Sequence, residues 1–266
     1  MSRKMKLYVF DHKGAPDMPR EARVCTGAPF DPTDIIPIPC MSFLIDHPDK
    51  GLILYDTGWS KSERHHRPWS IPEDMNVISR LAQLGHKPKD IKTLIMSHLH
   101  HDHSGYVEHF NNAEITVSDR EFTGVAKLYA LGMLQPHGGL YIGSDVQSWY
   151  DAKLNWKLLG DDEETVSIAD GVELLHFGPG HSFGILCLVA HLPEHGTVVI
   201  AGDVIYCREN IGPPAYPPMV VYDLDGYKLA VDRLLGYVNK HKATIWYGHD
   251  TEQFDTLIKS TEGCYE

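Results

Sequence analysis

Apolar and polar positions alternate along this chain in short blocks, and the blocks predict an α/β protein. Leu7-Tyr8-Val9-Phe10 reads as a strand near the start. Residues 43–46 and 52–55 flank the turn His47-Pro48-Asp49-Lys50-Gly51 as a β-hairpin, and Asp56-Thr57-Gly58 ends its second strand. Between residues 72 and 84, Val77, Ile78, Leu81 and Leu84 recur at a helical period, with Gly85 as the C-terminal stop. The β-branched apolar run 91–96 predicts a buried strand. Residues 114–117 predict another. Ser118 and Glu121 then have the spacing of a capping box for a helix running to about Leu131. Residues 132–165 have weak periodicity, carry Gly138-Gly139 and the aromatics Tyr141, Trp149 and Tyr150, and read as a long excursion able to cover a pocket.

The second half resumes the strand pattern. Residues 172–177 run into the turn Gly178-Pro179-Gly180-His181, and 185–191 pairs with 198–201 across Pro193-Glu194-His195-Gly196. A helix is predicted over 224–239, with Leu229, Leu234, Leu235 and Val238 on its apolar side. A last strand, 243–246, ends in Tyr247-Gly248-His249-Asp250. Each half is several strands followed by a helix, which predicts two sheets packed face to face with helices outside. No repeat, low-complexity tract or linker interrupts this pattern, so residues 1–266 read as one domain with an excursion at about 132–165.

Composition narrows the class. A chain of 266 residues can bury a sizeable core without disulfides, and 42% hydrophobic with 23% charged residues is ordinary for a soluble protein. The net charge of −12, from 36 acidic against 24 basic residues, argues against nucleic acid and against an anionic membrane surface as partners. Cys25, Cys40, Cys187, Cys207 and Cys264 form an odd set without paired spacing, which points to a reducing cytoplasm rather than a disulfide framework. Cys207 reads as a small buried hydrophobe. The basic start from Met1 and Ser2 is followed by too short an apolar run for a signal peptide, and no stretch approaches the roughly 18 apolar residues of a membrane span.

The densest chemistry lies in His98-Leu99-His100-His101-Asp102-His103, five potential metal ligands in six positions. Crowded ionisable side chains lose solvent and repel when charged, and a bound cation offsets that cost. The alternative is a solvated histidine-rich loop in a chain with 17 histidines. The preceding apolar run puts the cluster just beyond a strand's carboxyl end, where α/β folds usually keep their sites. Three further turns each present one candidate after an apolar strand: His181 after Gly178-Pro179-Gly180, Asp203 after Gly202, and His249 after Gly248. Singly these are weak signals. Together they form a consistent ligand set.

With those intervals, His98-x-His100-x-Asp102-His103, His181, Asp203 and His249 resemble the metallo-β-lactamase fold superfamily over nearly the whole chain. The resemblance implies an αββα sandwich with a dinuclear metal site. His98, His100 and His181 would hold the first metal, Asp102, His103 and His249 the second, and Asp203 would bridge both. Zinc is the first expectation, with iron, cobalt and manganese left open. Tyr206, three residues after Asp203, and the terminal Gly248-His249-Asp250-x-Glu252-Gln253 are similar to the N-acyl-homoserine lactone hydrolase branch. That branch implies a small-molecule lactone substrate, opened by a hydroxide shared between two metals. Tyr206 would assist the carbonyl oxygen, and Asp102 would pass a proton to the leaving oxygen. A lactonase or esterase for another metabolite, such as a pyridoxine-derived lactone, is the alternative, and a non-catalytic metal-binding protein lies beyond it. His101 departs from the branch, which often has an apolar or aromatic residue there; it is either a substrate-facing imidazole or a rim histidine. Trp59, Phe183 and residues 212–218 are candidate pocket walls or simply packing, and the excursion could serve a homodimer.

Overall fold

The computed structural model describes residues 3–19, 26–31, 33–60, 72–136 and 139–266. Met1, Ser2, Cys25 and Gly138 lie outside the described residues. The first half contains β1 (Lys6–Asp11), β2 (Ala15–Pro19), β3 (Ile35–Ile38), β4 (Met41–His47), β5 (Gly51–Tyr55), α1 (Val77–Gln83), β6 (Thr93–Ile95), β7 (Glu114–Ser118) and α2 (Asp119–Ala130). The second half continues through α3 (Gly143–Ala152), β8 (Asn155–Leu159), β9 (Thr165–Ala169), β10 (Val172–Phe177), β11 (Ile185–Leu192), β12 (Gly196–Gly202), α4 (Leu224–His241), β13 (Thr244–Tyr247) and α5 (Thr251–Thr256). No described helix is long and apolar enough to cross a membrane.

The chain divides into two compact units, one of Met1–Lys13, Cys40–Gly160 and Ile258–Glu266, the other of Gly14–Pro39 and Asp161–Leu257. The first unit carries a mixed six-stranded sheet in the order β1-β4-β5-β6-β7-β8. The predicted hairpin is the antiparallel pair β4 and β5, with His47 opposite Gly51. From β5 to β8 the strands run parallel. Parallel strands need both faces covered, which is why β6 is buried at every position and β7 at all but its first.

The second unit holds a mixed five-stranded sheet, β13-β12-β11-β10-β9, and the small pair β2-β3. β11 is buried at every position but His191. Against this sheet packs α4, whose buried Tyr227, Ala230, Val231 and Leu234 follow i, i+3, i+4, i+7 spacing and share a cluster with Phe177, Cys187, Val199 and Ile205. Each such large apolar side chain stabilises the fold by roughly 1.5–3 kcal/mol on burial.

Four sequence expectations need correction. Leu229 is 59% exposed, not on the buried side of α4. It stands five residues from Leu234, about 140° around a helix with 3.6 residues per turn. The helix expected over 72–84 is a 3-10 turn, Glu73–Met75, then α1, started afresh because the Asn76 side chain caps Ser79 N–H. Ser118 does stand before α2, but its side chain makes no capping bond to the helix, and Glu121 points inward instead. The excursion is also more regular than its periodicity suggests, containing α3 and the edge strand β8. Trp149 of α3 and Phe122 of α2 close on Trp156 of β8, at ring distances of 5.8 and 5.0 Å. Aromatic packing fixes elements too short to show a period.

Candidate metal centre

Every expected ligand leaves a strand at its carboxyl end. In the first unit β6 stops at Ile95, and the next turn carries His98, His100, His101 and His103, all buried, with Asp102 half-buried. The turn after β5 fastens this loop. Thr57 N–H donates to the His103 carbonyl at 2.8 Å, and Gly105 N–H donates to the Gly58 carbonyl at 2.9 Å. Gly105 has to be glycine, because a Cβ there would lie 1.9 Å from the Trp59 carbonyl oxygen.

Asp56, which the sequence marked only as the end of a strand, is the anchor of that loop. It sits at φ +60 and is almost fully buried. Its carboxylate accepts from Ser97 N–H and Ser97 Oγ, both at 2.7 Å, and from His103 Nδ1 at 2.8 Å. Burial raises the Asp56 carboxyl above its ordinary range, opposed by His103 and the two Ser97 donors. Ser97 Oγ, having given its proton to Asp56, accepts from His98 Nδ1 at 3.0 Å. His98 and His103 therefore each spend the Nδ1 proton, which leaves Nε2 with a lone pair. His98 Nε2 lies 2.9 Å from His100 Nδ1, and His103 Nε2 lies 3.9 Å from Asp102 Oδ1.

The second unit repeats the device. His181 Nδ1 donates to the Val220 carbonyl at 2.9 Å, and His249 Nδ1 donates to the Pro39 carbonyl at 2.8 Å. A carbonyl oxygen can only accept, so Nδ1 carries a proton in both rings, and in the neutral ring Nε2 is left with the lone pair. The two Nε2 atoms face the two oxygens of one carboxylate: His181 Nε2 to Asp203 Oδ2 is 3.1 Å, and His249 Nε2 to Asp203 Oδ1 is 3.2 Å. Gly248 lets this happen, because a Cβ there would lie 2.4 Å from the Gly202 carbonyl oxygen and 3.1 Å from Asp203 Oδ1.

The donor set fits a divalent metal. Two acceptors facing each other at about 3 Å repel unless positive charge lies between them. Ligand atoms sharing one tetrahedral ion at bond lengths of 2.0–2.1 Å stand about 3.3 Å apart. Within each unit the pairs His98 with His100, Asp102 with His103, and His181 with Asp203 offer ligand atoms inside 4.8 Å of each other.

Tyr206 follows the Asp203 turn and is nearly buried, its ring 5.4 Å from that of His181 and 4.6 Å from that of His249. Asn210, a buried residue that no sequence pattern marked, fixes it. The Asn210 carbonyl accepts from Tyr206 N–H at 2.7 Å and Cys207 N–H at 3.0 Å, while its amide donates to the Tyr216 carbonyl at 2.8 Å. Cys207 is buried, as expected. His101 does not join the ligand pairs; its ring stacks on Trp59 at 5.3 Å. Phe183 packs edge-on against Tyr222 at 4.7 Å.

Two mixed sheets, ligands at the strand ends and this donor chemistry define a class of metal-dependent hydrolase folds. The model of the metallo-beta-lactamase superfamily matches residues 35–249, and the chain belongs to that superfamily. It is 37% identical over 243 residues to the N-acyl homoserine lactonase AiiB of Agrobacterium fabrum, a match spanning 87% of each protein. Among solved structures, a quorum-quenching N-acyl homoserine lactone lactonase superposes with a TM-score of 0.80 at 26% identity, over 100% of both chains. A similar N-acyl homoserine lactone hydrolase, holding the product N-hexanoyl-L-homoserine at its catalytic metal center, superposes with a TM-score of 0.79 at 25% identity, again over 100% of both chains.

Proposed function

We propose that the chain is a single hydrolase domain that opens the lactone ring of N-acyl-homoserine lactones with two divalent metals, zinc first among them. His98, His100 and His181 would hold one metal, Asp102, His103 and His249 the other, and Asp203 would serve both. The observation that carries the reading is the Asp203 carboxylate, each oxygen facing the Nε2 of an imidazole whose Nδ1 proton is already given to a backbone carbonyl. The relatives' named substrate supports the choice of lactone. When bound, such a metal pair supplies an acidified water at neutral pH and polarises a carbonyl.

The chain's own residues do the rest. Tyr206, packed against His181 and His249, donates a hydrogen bond to the oxygen on which charge develops as the carbonyl is attacked. Asp102, half-buried beside His103, would take the proton released by the attacking water and pass it to the ring oxygen as the ester bond breaks, giving a hydroxy acid. The expected setting is the cytoplasm, in keeping with an odd set of five cysteines that has no paired spacing.

The test is a ring-opening panel of N-acyl-homoserine lactones, γ-butyrolactone and a pyridoxine-derived lactone. The homoserine lactones should give the highest kcat/KM. Asp203→Ala should abolish hydrolysis, and Tyr206→Phe should lower kcat by about 10²–10³ with little change in KM. If no homoserine lactone opens faster than γ-butyrolactone, the reading fails. If the pyridoxine-derived lactone leads, the substrate assignment passes to it.

A further inference from the structure

Glu121 lies in the first turn of α2, where an acid normally caps the helix from solvent, yet it is 0% exposed. Its Oε1 accepts from Leu99 N–H at 2.9 Å and from the Tyr141 hydroxyl at 3.0 Å. Leu99 is the one residue between His98 and His100. The Tyr141 ring lies 4.7 Å from the His100 ring, tilted by 57°. Beside it, the Leu140 carbonyl accepts from His101 N–H at 2.8 Å. One carboxyl oxygen thus ties α2, the start of the excursion and the middle of the metal loop together. Burying a carboxyl costs several kcal/mol unless its oxygens are well bonded, so a chain that only needed a helix cap gains nothing from this placement.

We propose that Glu121 and Tyr141 are positioning residues for the metal loop, Glu121 by fixing the Leu99 amide and Tyr141 by fixing the ring plane of His100. The inference rests on the metal-ligand role of His98 and His100. Those two ring nitrogens stand 2.9 Å apart and repel when both are bare, so the backbone between them has to be held for both to turn to one ion. Glu121 touches neither substrate nor metal and acts only through that backbone and that ring.

Cobalt(II) titration of the full chain, followed by visible absorption, tests this on wild type, Glu121→Gln, Glu121→Leu and Tyr141→Phe, with the unfolding midpoint of each metal-free protein measured alongside. Glutamine keeps an oxygen acceptor and should hold affinity within about threefold, whereas Glu121→Leu should weaken cobalt binding by about 10–100-fold. Tyr141→Phe removes one of the two donors to the buried carboxyl, so its midpoint should fall modestly while the protein still folds, and its cobalt bands should differ from wild type. If Glu121→Leu and Tyr141→Phe both reproduce the wild-type affinity and spectrum, the positioning role is overturned. Should Glu121→Leu fail to fold, Tyr141→Phe decides alone, and an unchanged spectrum overturns it. Wild type that takes up no cobalt overturns the metal reading as well.

Discussion

His181 and His249 each have a backbone carbonyl behind the ring. A carbonyl that accepts the Nδ1 proton of each histidine fixes which nitrogen is left to bind a metal. His12 is a different case, a buried histidine held neutral. Its Nδ1 bonds the Met75 carbonyl at 2.8 Å and its Nε2 bonds Ser42 Oγ at 2.6 Å. Burial pushes its pKa from 6.5 down to about 4, with Arg80 and His103 pushing the same way and the Met75 carbonyl opposing. The unfolded chain therefore takes the proton first. Stability from the neutral ring is complete above pH 6.5 and is lost as pH falls towards 4, by about 3 kcal/mol in all. Urea unfolding of metal-free wild type and His12→Gln across that window should show the wild type losing stability more steeply, the difference cancelling the other histidines. Parallel curves would contradict it. Candidate roles were legible where a residue follows a strand and a glycine, as with Asp203 and His249. They were not legible for Asp56, Asn210 or Glu121, because these act through space on amides and rings up to 47 positions away.

At the scale of elements, β4, β10, β11 and β12 were legible as largely apolar runs bounded by turns, whereas β2, β3, β8 and β9 gave no strand signal. Periodicity failed where packing overrides it. α3 and β8 are held by Trp149, Trp156 and Phe122 rather than by an amphipathic stripe of their own. α4 gives the sharpest test of facing. Leu234 is 0% exposed and Leu229 is 59% exposed on the same helix. Leu234→Ala should cost about 2–5 kcal/mol, and Leu229→Ala should stay within about 0.5 kcal/mol. Urea midpoints of the two variants measure this, and equal losses would mean that the helix is turned otherwise.

For the whole molecule, the surplus of acids, −12 overall, disfavours polyanionic partners, yet it leaves room for cations to gather where carboxylates and imidazoles already converge. The superfamily was legible through resemblance, because seven candidate ligands stand after strands at intervals similar to that family's. The separation into two compact units was not, since the first unit is assembled from three distant stretches of chain, with the C-terminal Tyr265 exchanging backbone hydrogen bonds with Leu7 of β1. Elemental analysis of folded protein purified without chelator is the most direct measurement. About two transition ions per chain are expected, and clearly fewer in Asp203→Ala. Folded wild type carrying none would contradict the metal centre and the hydrolysis built on it.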